Sequence, residues 1–330
     1  MLWSQALQIL GMCVKKTEGC SVLISIIIPT RNRPAELVRC LAGVCALEFD
    51  HSLFEVIVVD DGGELPLEDL TNRFKERLRL KWHRQRRRGP AAARNAGARL
   101  ACGRFLAFLD DDCVPAVDWL TAMARRLTQH PDRMVGGRVI NALPRNACSE
   151  ASQQQLHWIY KYYDEHLTAT RFFASCNLAV PVAQFGQIGG FDTTYRLAAA
   201  EDRDFCDRWR LAGMDMVYAP EMIVHHHHGM SFGQFWKQHM NYGRGAFQFH
   251  RNHYRRTHHL FRLQALTFYP GMLLSPFEGN VQPHPYRVAG LLVMSQAAHL
   301  SGYLTEILYQ VAAQRWSQKL ARLRSSSRIQ

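Results

Sequence analysis

The sequence predicts an α/β chain with a mostly parallel, doubly wound central sheet flanked by helices, followed by a helical C-terminal region. Three observations predict it. Runs at 22–29 and 54–59 are apolar and β-branched at nearly every position, the pattern of strands buried on both faces of a parallel sheet. Each run is followed by a turn and a helix-like segment, the alternation from which parallel sheets are built. Acidic residues stand where the strand runs end, the edge at which open α/β sheets gather their ligands.

In chain order, 1–21 read as a short helical extension. The first strand stops at Pro29-Thr30-Arg31-Asn32-Arg33-Pro34, and Pro34 suits the first turn of a helix reaching about residue 47. The second runs into Asp60-Asp61-Gly62-Gly63. Leu78, Leu80 and Trp82 alternate as a third strand, and a basic stretch through Arg88 leads by Gly89-Pro90 to an alanine-rich helix at 91–101. A fourth strand, 104–109, ends abruptly in Asp110-Asp111-Asp112. Beyond it the pattern gives a helix at 116–129, a strand at 134–140, a polar and aromatic helix at 149–167 and a strand at 175–181. A glycine loop at 186–192 suits close approach of the backbone to a ligand. A helix then opens at Glu201-Asp202 and runs to residue 211. These segments divide into an extension (1–21), a catalytic domain (22–230, with halves at 22–112 and 113–230) and a basic helical region (231–330).

Composition is ordinary for a globular chain: 330 residues, 47% hydrophobic and 21% charged. The net charge of +12 attracts phosphates, whether of a nucleotide, a nucleic acid or an anionic membrane. Nine cysteines without a C-x-x-C pair make no disulfide framework and point to a reducing cytosol. The N-terminus lacks the charged and apolar regions of a signal peptide. No stretch is apolar for about 18 residues, as a transmembrane helix requires.

Several stretches read two ways. Three adjacent carboxylates raise one another's pKa, so Asp110 to Asp112 mark either a cation or polar-ligand site or a solvated acidic turn. Convergence of Thr30, Asp60, Asp61 and the triple aspartate on one sheet edge favours the site. Glu201 and Asp202 are either functional acids or helix-terminal caps. In His225-His226-His227-His228, His226 and His228 alternate on a strand as metal ligands do, unless the run is a solvated loop. Phe232, Phe235, Trp236, His239, Met240, Gly243 and Phe247 form a helical stripe that packs on the core or, alternatively, lies on an anionic membrane. The segment 288–311 is apolar but interrupted by Gln296, His299 and Glu306.

Six motifs in order, Ile-Ile-Ile-Pro-Thr-Arg-Asn-Arg-Pro (26–34), Val-Ile-Val-Val-Asp-Asp-Gly (56–62), Ala-Arg-Asn-Ala-Gly (93–97), Phe-Leu-Asp-Asp-Asp (108–112), Gly-Gly-Phe-Asp (189–192) and Glu-Asp-Arg-Asp (201–204), resemble family 2 glycosyltransferases of the GT-A fold over roughly 22–245. The resemblance implies nucleoside contacts at Pro29, Thr30, Arg33 and Asp61, with Asp60 shaping the turn and Arg94 near the diphosphate. It places the D-x-D motif on Asp110 and Asp112. Asp112 is then a direct ligand of Mg2+ or Mn2+, and Asp110 or Asp111 a ribose or water-mediated contact. It puts the catalytic base at Asp202 and the acceptor side at Gly189, Gly190, Phe191, Asp192 and Glu201. His226 and His228 resemble histidines that some relatives carry near the metal.

The activity so implied is inverting transfer of one sugar from a UDP- or GDP-sugar to a glycan or lipid-linked acceptor, in polysaccharide or cell-envelope biosynthesis. The setting is the cytoplasm, peripheral to the inner face of the cell membrane through the basic C-terminal region. Two departures matter. Gly63 stands where the family has serine, and the Gln-x-x-Arg-Trp signature of processive synthases is absent, which favours single transfer. A nucleotidyltransferase would want a glycine-rich loop after the first strand, which 30–34 is not. A nucleic-acid-binding protein would not gather carboxylates at three strand ends, so no nucleic acid is expected as a partner.

Overall fold

The computed structural model describes residues 22–166, 172–259, 268–278 and 284–326. The expected N-terminal extension, and the ends of the 149–167 helix and of the C-terminal tail, fall outside these residues or reach beyond them. Among the described residues one eight-stranded sheet forms in the order β3-β2-β1-β4-β7-β6-β8-β5. Its strands are β1 (Ile24–Thr30), β2 (Phe54–Asp61), β3 (Leu80–Gln85), β4 (Phe105–Leu109), β5 (Cys113–Pro115), β6 (Met134–Asn141), β7 (Asn177–Pro181) and β8 (Met216–His226). β1 pairs in parallel with β2 and β4, and β2 with β3. β7 runs antiparallel to β4 and β6, while β6 and β8 are parallel. The sheet is therefore mixed but mostly parallel, as expected.

β1 and β2 are buried almost throughout because helices cover both faces. α1 (Pro34–Cys45) begins on its proline, and α2 (Glu68–Asn72) is a single turn. α3 (Pro90–Leu100) sits close on the sheet at Gly97, where a Cβ would come within 2.5 Å of Ile27 Cγ2. α4 (Trp119–Gln129) starts three residues later than expected, because 113–115 form the short strand β5 against β8. α5 (Ala147–His166) is the polar, aromatic helix. The glycine loop is shorter than expected: residues up to Ile188 belong to α6 (Val182–Ile188), and Gly189 ends it in the left-handed conformation, φ 80°.

α7 (Glu201–Leu211) carries the second acidic motif, and α8 (Phe232–Thr257) opens on a capping box of Ser231 and Gln234. α9 (Phe268–Leu274) and the long α10 (Pro285–Ser326) complete the helical region. Of the α8 stripe, Phe235, His239 and Gly243 are buried, Trp236, Met240 and Phe247 are partly buried and Phe232 is exposed; Ala246 and Phe249 are buried beside them. α8 and α10 cross at glycines, Gly243 against the His299 carbonyl and Gly302 against the Met240 carbonyl. Among the described residues no helix is long and apolar enough to cross a membrane, and all seven described cysteines are free.

Candidate active site

The parallel register sets the carboxyl ends of β1, β2 and β4 side by side, so acids distant in sequence meet on one edge. Thr30 Oγ1 donates to Asp111 Oδ2 at 2.6 Å. Arg33 Nη1 donates to Asp111 Oδ1 at 3.2 Å and to Asp112 Oδ2 at 2.8 Å. Burial pushes Asp111 up to about 7, with Arg33 opposing and the Asp112 charge adding to it. Asp61 is occupied by the chain itself: Gln85 Nε2 and the amides of Arg88 and Gly89 donate to it at 2.7–2.8 Å. Asp60 accepts from the Gly63 amide at 2.7 Å, so glycine at that place leaves the turn intact.

β5 explains how the histidines reach the acidic motif. Its antiparallel register pairs Cys113 with His226, which brings His226 Nε2 within 3.2 Å of Asp112 Oδ1. The His228 ring lies 5.1 Å from that of His226. Burial opposes ionisation of Asp112, but the hydrogen bond and charge of His226, with Arg33, outweigh it and hold the carboxyl well below its usual range. Burial likewise opposes protonation of His226, and Asp112 overrides it, up to about 9.

Donor atoms of Asp112, Cys113 and His226 lie within 4.8 Å of one another. Asp112 and His226 fit a divalent ion, and a carboxylate with an imidazole suits Mn2+ better than oxygen-seeking Mg2+. A hydrogen bond with Cys176, then burial, keeps the Cys113 thiol protonated, unlike a thiolate ligand.

Arg94, expected near the diphosphate, is held by acids of the chain itself. Its side chain is 3% exposed and spans two acids, Asp110 at 2.7 Å and Glu201 at 2.9 Å. It is a strut between the acidic motif and α7. Glu201 is thereby engaged with Arg94 and buried, rather than presented to an acceptor.

Asp202 accepts from the Arg203 amide at 2.8 Å and the Ser175 amide at 3.4 Å, and it lines a cavity of about 280 Å3. Burial, then the Glu201 charge, push it up to about 7 against the pull of Arg94. Ala200, two positions before it, takes φ 67°, a left-handed strain for alanine at the start of the helix. Asp110, His226 and His228 line the same cavity.

The loop at 189–192 does not. Arg208 donates to the Ile188 and Gly190 carbonyls, and Asn95 bonds both the amide and the carbonyl of Phe191. Phe191 is buried against Phe108 and Phe205, and Asp192 accepts from the Thr194 amide. The close approach that glycine permits at 190 is made by Asn95 Oδ1, 2.6 Å from a Cβ there. Gly189, Gly190, Phe191 and Asp192 are thus held by contacts within the fold, away from the cavity of Asp202. The cavity wall is made instead by α5, α8 and the segment before β7, among them Gln153, Gln155, Gln238, His239 and Tyr242. No local motif announces these residues; His239 is visible in the sequence only as one position of a helical stripe.

Residues 25–180 match the family model described as Glycosyl transferase family 2, and 154–229 match one described as the N-terminal domain of galactosyltransferase. The chain is 29% identical over 227 residues to validoxylamine A glucosyltransferase of Streptomyces hygroscopicus subsp. limoneus, covering 60% of this chain and 50% of that protein. It is 26% identical over 228 residues to glycosyltransferase AglE of Haloferax volcanii, covering 68% and 73%. To pre-mycofactocin glycosyltransferase of Mycobacterium tuberculosis it is 30% identical over 215 residues, covering 62% and 43%. It spans about half the length of the first and the third. Among solved structures, mannosyltransferase PcManGT from Pyrobaculum calidifontis, in complex with GDP-Man and Mn2+, has a TM-score of 0.56 at 18% identity, over 97% of this chain and 87% of that one. TarS of S. aureus gives 0.50 at 17%, over 86% and 54%. These two likenesses speak to the fold alone.

Proposed function

We propose, from the premise that this chain belongs to the family 2 glycosyltransferases, that it transfers one sugar from a UDP- or GDP-sugar to a hydroxyl of a glycan or lipid-linked acceptor, with inversion. The observation that carries this reading is Asp202, a cavity-lining carboxyl with a pKa near neutrality, sharing its cavity with Asp110 of the acidic motif. A base works best when its pKa lies near the operating pH. Asp202 would take the acceptor's hydroxyl proton as that oxygen bonds to the anomeric carbon. The bond from that carbon to the diphosphate oxygen breaks on the opposite side, and the nucleoside diphosphate leaves. A bound Mn2+ or Mg2+, held by Asp112 and His226 with Asp110 nearby, would neutralise charge on that leaving group. Thr30, Arg33 and Asp61 would frame the nucleoside, with 22–112 as the nucleoside half and 113–230 as the acceptor half.

Asp112→Ala should abolish Mn2+-dependent donor hydrolysis and the thermal stabilisation by UDP or GDP with Mn2+. Full activity in that variant would sink the metal assignment.

The outer face of α10 supports a peripheral membrane contact. Val293, Leu300, Leu304 and Leu308 are exposed on it at helical spacing, and the sequence beyond carries Arg315, Lys319, Arg322 and Arg324. Co-sedimentation with phosphatidylglycerol vesicles but not with phosphatidylcholine vesicles is the expected result. Equal recovery with both would remove the anionic component.

A further inference from the structure

We infer that the cavity beside Asp202 receives an uncharged sugar ring of the acceptor, and that Gln155 and His239 select it by its hydroxyls. The inference rests on the transferase reading above and goes further, because it chooses among acceptor chemistries and assigns two residues outside the family motifs.

Two buried polar atoms on the cavity wall have no partner: Gln155 Oε1 and His239 Nδ1. His239 is 1% exposed, and its other ring nitrogen already meets Ser152 Oγ at 3.1 Å. A buried polar atom left unpaired forfeits the hydrogen bond it had in water, so the cavity is built for a group that satisfies both. Gln155 Oε1 asks for a donor. His239 Nδ1 asks for a donor or an acceptor, according to which nitrogen bears the proton. A hydroxyl is both.

Charge disfavours the main alternative, a phosphorylated ring. Asp110 and Asp202 already face the cavity, and burial, with its cationic neighbours, holds His239 and His299 neutral near 4. Arg203 lies over the Phe249 ring, 4.6 Å from its centroid. A phosphate brought here would be desolvated beside Asp110 and Asp202, and the two cations of the lining are already engaged, His226 with Asp112 and Arg203 over the Phe249 ring. The remaining wall includes Phe172, Tyr163 and Leu156, apolar surface on which the C–H face of a pyranose rests. A volume of about 280 Å3 suits one ring with its substituents rather than an extended chain.

The test uses the full chain without donor, and saturation-transfer NMR with methyl glucoside, methyl mannoside and methyl galactoside, each beside its 6-phosphate. At least one neutral glycoside should receive saturation while its phosphate does not. Gln155→Leu and His239→Phe should each weaken that glycoside at least tenfold, with circular dichroism confirming the fold; Gln155→Leu, at a partly buried position, decides alone if the histidine variant does not fold. Binding of the phosphates in preference, no binding by any glycoside, or undiminished affinity in Gln155→Leu would each overturn the inference. A separate titration of the unaltered chain with UDP and GDP reports on the transferase reading, so the two fail independently.

Discussion

Along the edge formed by β1, β2 and β4, each of five aspartates already has a donor or a cation: Asp60 the Gly63 amide, Asp61 three N–H groups, Asp110 Arg94, Asp111 Thr30 and Arg33, Asp112 Arg33 and His226. Across the cavity, Gln155 and His239 have atoms with none. The first region is pre-organised by its own ion pairs, so a ligand there has to compete with or join an existing network. The second is incomplete, and its unmet hydrogen bonds favour whatever supplies them. Pre-organisation suits a part every donor shares, and open valences suit the part that discriminates between acceptors.

The sharpest way to break the comparison is to remove the carboxylate between the regions. Asp202→Asn should lower transfer by about 10²–10⁴-fold, the range for loss of a general base, while affinity for the nucleoside diphosphate stays unchanged. Equal loss of both in isothermal titration and initial-rate assays would make Asp202 a structural cap instead.

Next in size is the strut. Arg94→Met leaves Glu201 buried without its cation, and breaking such a pair costs about 3–5 kcal/mol. Urea unfolding should show this loss, and adding Glu201→Gln should recover part of it. If Arg94→Met were as stable as the parent and only weakened nucleotide binding, Arg94 would be the diphosphate contact that its motif suggested.

A smaller effect is expected away from both regions. Gly302→Ala would drive a Cβ into the Met240 carbonyl at the α8–α10 crossing, an overpacking cost of about 1–3 kcal/mol. Because α8 carries His239, acceptor affinity should fall with stability, whereas nucleotide affinity should not. Loss of both to the same degree would mean that the two regions move as one.

Legibility in the sequence follows the same division. Pro29, Thr30, Asp61 and Asp110 to Asp112 can be read because strand ends bring short contiguous motifs to one edge, and the parallel sheet then does the assembly. What those side chains touch is less legible. Arg94 sits in a recognisable motif, yet its two acids come from β4's end and α7, 16 and 107 positions away in sequence. β5 is three residues long, too short for any alternation to announce it, and its pairing with β8, with the His227 amide donating to the Asp112 carbonyl, sets His226 beside Asp112. Gly189-Gly190 looked like a ligand loop because glycine signals close approach; it does not say by what, and the answer is Asn95. The cavity wall was hidden most thoroughly. Gln155 and His239 lie on helices whose spacing reads simply as a buried face, and only tertiary packing leaves their polar atoms unmet.

The least disruptive perturbation is pH, and its sign can be worked out. Burial and the Glu201 charge raise Asp202 to about 7, so the base exists only above that value. Turnover should level off in alkaline solution and fall about tenfold per pH unit below about 7, a limb that Asp202→Asn lacks. Stability moves the other way. A carboxyl whose folded pKa exceeds its unfolded one favours folding below the unfolded value and loses that contribution as pH rises through the folded one. The melting temperature of Asp202→Asn should therefore exceed the parent's by more at about pH 8 than at about pH 5. A turnover profile flat across that window, with no such divergence in melting, would mean that Asp202 is ionised throughout. The cavity would then carry a fixed negative charge at neutral pH, and the contrast between the ion-paired aspartates of the sheet edge and the open cavity wall would rest on Gln155 and His239 alone.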